Sequence, residues 1–134
     1  MKIIVCVDKK NGMLFNSRRQ SQDCLLRERI IKLSQNSKLW MNNYSAEQFG
    51  SSAGFSVSEN FLKEAKTGEY CFIENSVIPT EDVEEIIIYK WNRTYPADTF
   101  LTFDLRSNGF KKQKSSNFPG NSHEKITEEI YIKK

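Results

Sequence analysis

The chain has 134 residues, a 38% apolar share, a 28% charged share and a net charge of +3, which fits one domain, 1–134, large enough to hide about two-thirds of its unfolded surface. No run approaches the about 20 apolar residues of a membrane span, and Met1-Lys2 leads into a strand rather than a signal peptide, so no membrane partner is expected. Three cysteines without paired spacing make no disulfide framework and point to a reducing cytoplasm, while a pI near 8.7 permits an anionic ligand without requiring one.

In chain order, "KIIVCV" (Lys2 to Val7) reads as a buried strand, because it is a short, continuous, β-branched run. "NGMLFNSRRQSQD" (Asn11 to Asp23) follows as a polar, cationic loop. The next helix starts near Ser21 as cap, with Asp23 favoured by the positive helix end. Leu26, Ile30 and Leu33 fall on one face of it, Arg27, Glu28 and Arg29 look outward, and Asn36 and Ser37 end it. "KLWM" (Lys38 to Met41) is a second strand.

Ser45 followed by Gln48 is a capping-box pattern, which predicts a short helix from Ala46. "GSSAG" (Gly50 to Gly54) breaks the chain, and Ser58 caps a further helix over "ENFLKEAK", closed by Gly68. "EYCFIE" and "EEIIIYKW" read as strands. "DTFLTFDL" and "KITEEIYIKK" alternate apolar and polar residues, which predicts that they pair antiparallel. Between them, "FKKQK" (Phe110 to Lys114) and "SSNFPGNSHEK" form either a solvated hairpin connection or a nucleic-acid contact, the latter without an aromatic platform. The sum is an α/β domain with a mixed, mostly parallel sheet, flanking helices and a C-terminal antiparallel strand pair.

In order and wording these segments resemble dihydrofolate reductase, shortened and trimmed at one edge of the sheet. "IIVCVDKKNGMLFN" resembles that family's first strand. "SKLWMNNYSAEQF" is similar to its K-P-V-I-M-G-R-x-T-x-E-S segment, and "FSVSENFLKEAKTGEYCFIEN" to its helix and central strand. "VEEIIIYKWNRTYPADTFLTFD" looks like its long strand, turn and G-D-T-F-F-P segment. The resemblance covers nearly the whole chain. It implies a substrate pocket under the segment that follows the first strand.

The departures imply lost chemistry. Between Gly50 and Phe55 there is no room for the strand after the second helix. Glu74-Asn75 stands where the family's Gly-Gly pair opens a helix under the cofactor pyrophosphate, and a carboxylate there repels phosphate. Asn43 replaces the phosphate-binding arginine, Ser45 matches a threonine, and Leu25 or Leu26 falls nearest the catalytic acid. No cofactor and no reductase activity are therefore expected. The wording MLFNxRRQSQD is also similar to that of short bacterial proteins, some carrying the name ribonuclease Z. True members of that hydrolase family use H-x-H-x-D-H, which is missing here, so zinc-dependent ribonuclease activity is not expected.

The candidate ligand residues are Arg18, Arg19, Gln20, Asp23, Asn43 and Ser45. Arg18 and Arg19 can offer planar donor forks to a phosphate or carboxylate, with Gln20, Ser21 and Gln22 as neutral partners. The alternative is a solvated loop whose arginines pair with Asp23 or Glu28. Cys24 follows two arginines at a helix start, with no histidine near it in sequence. His123, the only histidine, sits in a polar stretch and is expected to be exposed; neither a Ser-His-Asp set nor a phosphate-binding glycine motif is legible.

Two partner classes follow. A small anionic or heteroaromatic ligand would sit in the relic pocket behind Arg18, Arg19, Gln20 and Asp23, with Ser45 on the far wall. RNA would instead meet Arg18, Arg19, Lys111, Lys112 and Lys114 through its phosphates. A shortened sheet also exposes a strand edge, which a second copy could cover as a homodimer.

Overall fold

The computed structural model describes residues 1–50 and 54–134. The described residues form ten strands and three helices. They are β1 (Lys2–Val7), β2 (Gly12–Phe15), β3 (Arg18–Arg19), α1 (Cys24–Leu33), β4 (Leu39–Met41), α2 (Asn43–Phe49), β5 (Ser56–Val57) and α3 (Phe61–Glu64). Then come β6 (Tyr70–Phe72), β7 (Glu85–Lys90), β8 (Thr99–Phe100), β9 (Phe110–Phe118) and β10 (Ile126–Lys133). Seven strands form the main sheet in the order β5-β4-β6-β1-β7-β10-β9, and β3-β2-β8 make a small second sheet. In the main sheet β5 to β7 run parallel, while β10 lies antiparallel to both β7 and β9. The expected α/β class and mixed sheet are therefore present.

The continuous apolar run of β1 has a direct cause, since the sheet is covered on both faces. Ile3, Val5, Val7, Ile86, Ile88 and Cys71 point to one side, under Phe61, Ile78, Val83 and Phe110. Ile4, Ile87, Tyr89, Trp91 and Phe72 point to the other, under Leu26 and Ile30 of α1. Ile3, Ile4, Val5 and Val7 are all fully buried, each contributing about 1.5–3 kcal/mol relative to exposure. The acids of β10 are buried but partnered. Glu128 meets Arg29 at 2.9 Å and the Tyr89 hydroxyl at 2.8 Å; Glu129 meets Lys90 at 3.1 Å and Lys112 at 2.9 Å.

Several expected boundaries change. The partner of "KITEEIYIKK" is "FKKQKSSNF", not "DTFLTFDL". β9 is an outer strand with most side chains in solvent, so it carries no apolar alternation to read. "DTFLTFDL" contributes only the pair Thr99–Phe100 to the small sheet, and Leu101, Phe103 and Leu105 pack over the core instead. α1 is capped by Asp23 rather than Ser21, and ends at Ser34. α2 is capped by Asn42 and starts at Asn43. The Asn42 side chain accepts the Ser45 amide at 3.0 Å, which displaces the expected Ser45–Gln48 box.

The expected long helix behind Ser58 shrinks to the single turn α3, because Ala65 is already extended. Gly68 has the positive φ expected of it, 82°, but within a turn beyond the helix. Of the expected break at 50–54, positions 51–53 lie outside the described residues; the expectation that no strand follows the second helix is corrected, because the two-residue β5, Ser56–Val57, follows it and pairs with β4. The β9 edge carries Lys111, Lys112 and Lys114, charges that work against pairing with a second copy.

Candidate functional site

The chain leaves β1 through α1 to reach β4 on one side of the sheet, and later crosses from β6 past β1 to reach β7 on the other. Strand order thus reverses around β1. In α/β sheets the crevice outside the strand C-termini at such a point is where ligands bind. Here Cys6 of β1, Phe72 to Glu74 at the end of β6, and Trp91 after β7 meet Leu26 and Ile30 of α1 around one cavity.

The segment expected as a polar loop is a hairpin that covers this crevice. Asn16 and Ser17, at φ 51° and 62°, make the two-residue turn between β2 and β3. Positive φ at both positions is what a tight hairpin with native twist requires. The turn pairs Phe15 with Arg18 and Leu14 with Arg19, so the two arginines point to opposite faces. Arg18 stays exposed. Arg19 turns inward and forks onto Glu74, Nε to Oε2 at 2.9 Å and an Nη to Oε1 at 3.1 Å.

Arg19 also donates to the Tyr44 carbonyl at 3.0 Å, and its guanidinium lies 4.4 Å over the Tyr44 ring. Burial opposes the Arg19 charge, but the bonds and charge of Glu74 outweigh it and raise the guanidinium's pKa. Neither expected partner, Asp23 or Glu28, takes part in this pair. The Glu74 carboxylate that was expected to repel phosphate is therefore neutralised by Arg19.

Gln20 is held from below. Its Nε2 donates to Asp8 Oδ2 at 3.0 Å and to the Pro96 carbonyl at 3.3 Å, while its Oε1 is buried without a hydrogen-bond partner. Asp8, 2% exposed, also accepts the amides of Lys10, Gly12 and Tyr95. Burial pushes its carboxyl up, but those three amides and Gln20 outweigh burial and leave it lowered. Gly12 makes the approach possible, since a Cβ there would stand 2.6 Å from Gln20 Nε2 and 2.8 Å from Asp8 Oδ2.

Next to Gln20 the structure overturns the reading of His123. The ring is buried, 3% exposed, and stacks on Trp91 with 4.5 Å between centroids. Its Nδ1 lies 3.0 Å from Asp23 Oδ2, a residue 100 positions away. A carboxylate only accepts, so Nδ1 carries the proton, and in the neutral ring Nε2 offers a lone pair. Facing Nε2 are the hydroxyls of Ser21 at 3.1 Å and Tyr95 at 3.0 Å.

Asp23 is pinned from several directions. It accepts the Leu25 and Leu26 amides at the start of α1, the Asn121 and Ser122 amides, and the Ser122 hydroxyl. Burial acts to raise its pKa, but the Asn121 amide, His123, and the Ser122 and Leu26 amides hold the carboxyl far below its usual range. A Ser-His-Asp set was not legible in the sequence, yet Ser21, His123 and Asp23 form one hydrogen-bonded chain. The loop between β9 and β10 delivers the histidine, and Gly120 lets it close, because a Cβ there would lie 2.5 Å from Asp23 Oδ2.

Two spaces adjoin at the hairpin. The inner cavity, about 20 Å³, has Ser21, Gln20, Asp23 and Arg27 on its polar side, and is large enough for about one water. The outer groove, about 570 Å³, runs along Phe15, Asn16, Arg18, Gln20, Tyr95 and Pro96. Arg19 and Gln20 line both. Of the expected ligand residues, Arg18, Arg19, Gln20 and Asp23 meet around these spaces. Asn43 is exposed, with its amide on Glu59, and Ser45 is buried away from the lining; Gln48 of the same helix reaches the inner cavity instead. Cys24 is the first residue of α1, and burial with the nearby Glu74 charge pushes the Cys6 thiol well up.

Site and sheet together define an α/β domain with a crevice at the point of strand-order reversal. No protein-family model matches the sequence, and no curated protein matches it. Among solved structures, dihydrofolate reductase from Enterococcus faecalis, complexed with NADP(H) and RAB-propyl, is similar over 98% of this chain and 94% of that chain. The TM-score is 0.73 at 11% sequence identity. The chain has a dihydrofolate reductase-like fold. At that identity the likeness concerns the fold alone.

Proposed function

We propose that the protein is a non-reductase binding domain for a small ligand carrying an anionic group and a heteroaromatic ring. The single observation that carries this reading is the pair of adjoining spaces at the point of strand-order reversal, with polar groups turned into them. The outer groove has room for a ring beside Phe15 and Tyr95, and Arg18 supplies an exposed donor fork for the anion. Only a small substituent fits the inner cavity, where the unpartnered Gln20 Oε1 can accept a hydrogen bond. The Arg19–Glu74 fork acts as the gate between the two.

A nicotinamide dinucleotide does not fit the residues here. Positions 74–84 are bends and extended backbone without a helix, so no helix N-terminus faces a pyrophosphate after β6. Glu74 fills that place together with Arg19. The RNA reading has less support. Lys112 is committed to Glu129, and the acids of β10 lie beside the lysines of β9.

Isothermal titration with a panel of pterins and nucleotides tests the reading. Heat of binding is expected for at least one ring-bearing anion, weakened about tenfold in Arg18→Ala and more in Arg18→Ala/Arg19→Ala. Silence across the panel contradicts it. A gel shift at low salt tests RNA, and no shifted band is expected.

A further inference from the structure

The geometry points to a second property of this pocket: Ser21 is a nucleophile for acyl transfer, activated by His123 and oriented through Asp23, with short-chain acyl esters as the substrate class. The inference rests on the pocket reading above and assigns it a chemistry. Three observations carry it. Ser21 Oγ, His123 Nε2, His123 Nδ1 and Asp23 Oδ2 form a continuous chain with contacts of 3.1 Å and 3.0 Å, within reach for nucleophile, base and orienting acid. The histidine and aspartate are buried at 3% and 2%, whereas Ser21 is only partly buried and lines the inner cavity. Stacking on Trp91 and the bonds from Asn121 and Ser122 to Asp23 fix the imidazole plane and leave Nε2 as the acceptor.

Tyr95 competes for the same nitrogen. A neutral Nε2 has one lone pair, so Tyr95 and Ser21 donate to it in turn. Tyr95 also lines the outer groove. A ligand seated there can take the phenol's hydrogen bond, which leaves Nε2 to the serine.

The step balances with water as co-reactant. Ser21 Oγ attacks the ester carbonyl carbon while its proton moves to His123 Nε2. The tetrahedral adduct expels the alcohol, the carbon–oxygen bond to it breaks, and the imidazolium returns the proton to the leaving oxygen. Water then gives a proton to Nε2 and attacks the acyl-serine; the serine oxygen leaves with that proton, and a carboxylic acid is released.

Arg27 lines the same cavity with its guanidinium on Gln22 Oε1 at 3.2 Å, and it is the cation available to turn toward the oxygen that becomes negative. The inner cavity has room for about one water, so at most the methyl of an acetyl group enters it, and longer acyl chains are excluded from it. The outer groove takes the leaving alcohol, whose anionic part meets Arg18.

The test uses the full chain with a fluorophosphonate probe, read by intact mass and peptide mapping, together with turnover of p-nitrophenyl acetate. One adduct on Ser21 is expected. It is lost in Ser21→Ala, formed at least about a hundredfold more slowly in His123→Gln, and kept in Ser107→Ala. Ser21→Ala removes one hydroxyl contact from a folded loop, so its fold, checked by circular dichroism, is expected to survive where His123→Gln fails. The absence of an adduct, an adduct on Tyr95, or p-nitrophenyl acetate turnover unchanged in Ser21→Ala overturns the proposal. Heat of ligand binding without an adduct overturns the nucleophile and leaves the pocket reading standing. An adduct on Ser21 without heat across the panel does the reverse.

Discussion

Replacing Asp23 dissects how one carboxylate joins the start of α1 to the loop between β9 and β10. In Asp23→Ala the helix loses its cap, worth about 1 kcal/mol. The amides of Asn121 and Ser122 and the His123 Nδ1 proton lose their acceptor as well. A buried donor left without a partner costs about 1–3 kcal/mol. The loop can turn part of that set to water, so a total of about 3–5 kcal/mol is expected. Asp23→Ser keeps the cap but cannot span to the loop, and should fall about 1 kcal/mol short of the alanine loss.

Urea denaturation at neutral pH reads both variants, as a lower midpoint with an unchanged slope. The pH dependence supplies an independent check. The native carboxyl is held below its ordinary value, while in the unfolded chain it titrates near about 3.9. Its contribution is therefore complete above that pH and is lost as the pH falls below it. The wild type should lose stability below about pH 4 more steeply than Asp23→Ser. A loss under about 1 kcal/mol in Asp23→Ala, or identical acid limbs, would refute the reasoning.

Further outcomes follow from the same contacts. Gly12→Ala drives a methyl against Gln20, Ala97 and Asp8 and should cost about 1–3 kcal/mol by thermal melting, with weaker ligand binding because Gln20 is displaced. Arg19→Met alone leaves Glu74, 10% exposed, without its cation and should cost about 2 kcal/mol in urea. Arg19→Met/Glu74→Met should recover most of that loss. In a native thiol titration with a disulfide reagent, Cys71, fully buried and pushed up to about 12 by that burial, stays silent. Cys6, half-buried at the inner cavity and raised by burial and by Glu74, should react more slowly than Cys24.

The sequence was most legible where one force dominated. Lys2 to Val7 had to be a strand covered on both faces, since a continuous β-branched run has no polar side to show water. The stretch Glu84 to Trp91 read as a strand and covers β7, while β10 was legible from a different signal, the alternation of apolar and polar residues in "KITEEIYIKK". Phe110 to Phe118 stayed hidden because an edge strand in solvent keeps lysines and serines, the composition of a loop. The arginine pair at 18–19 was visible, but its division was not. Only the hairpin, set by positive φ at Asn16 and Ser17, sends one arginine out and the other onto Glu74.

His123 escaped for a different reason. Its partners lie far away in sequence, so nothing local distinguishes it from an exposed histidine. The one local hint was Pro119-Gly120 just ahead of it, a turn whose glycine comes close against Asp23.

The most direct test of the central claim, a single ligand site at the C-termini of β1, β6 and β7, uses the two tryptophans. Trp91 lines the inner cavity and stacks on His123, whereas Trp40 belongs to the opposite core face and donates its indole proton to Glu69. In a 1H–15N spectrum recorded while a heat-producing ligand is added, the Trp91 indole signal should move and the Trp40 signal should stay. A ligand that binds with the Trp91 signal unmoved, or that shifts Trp40 instead, contradicts the account.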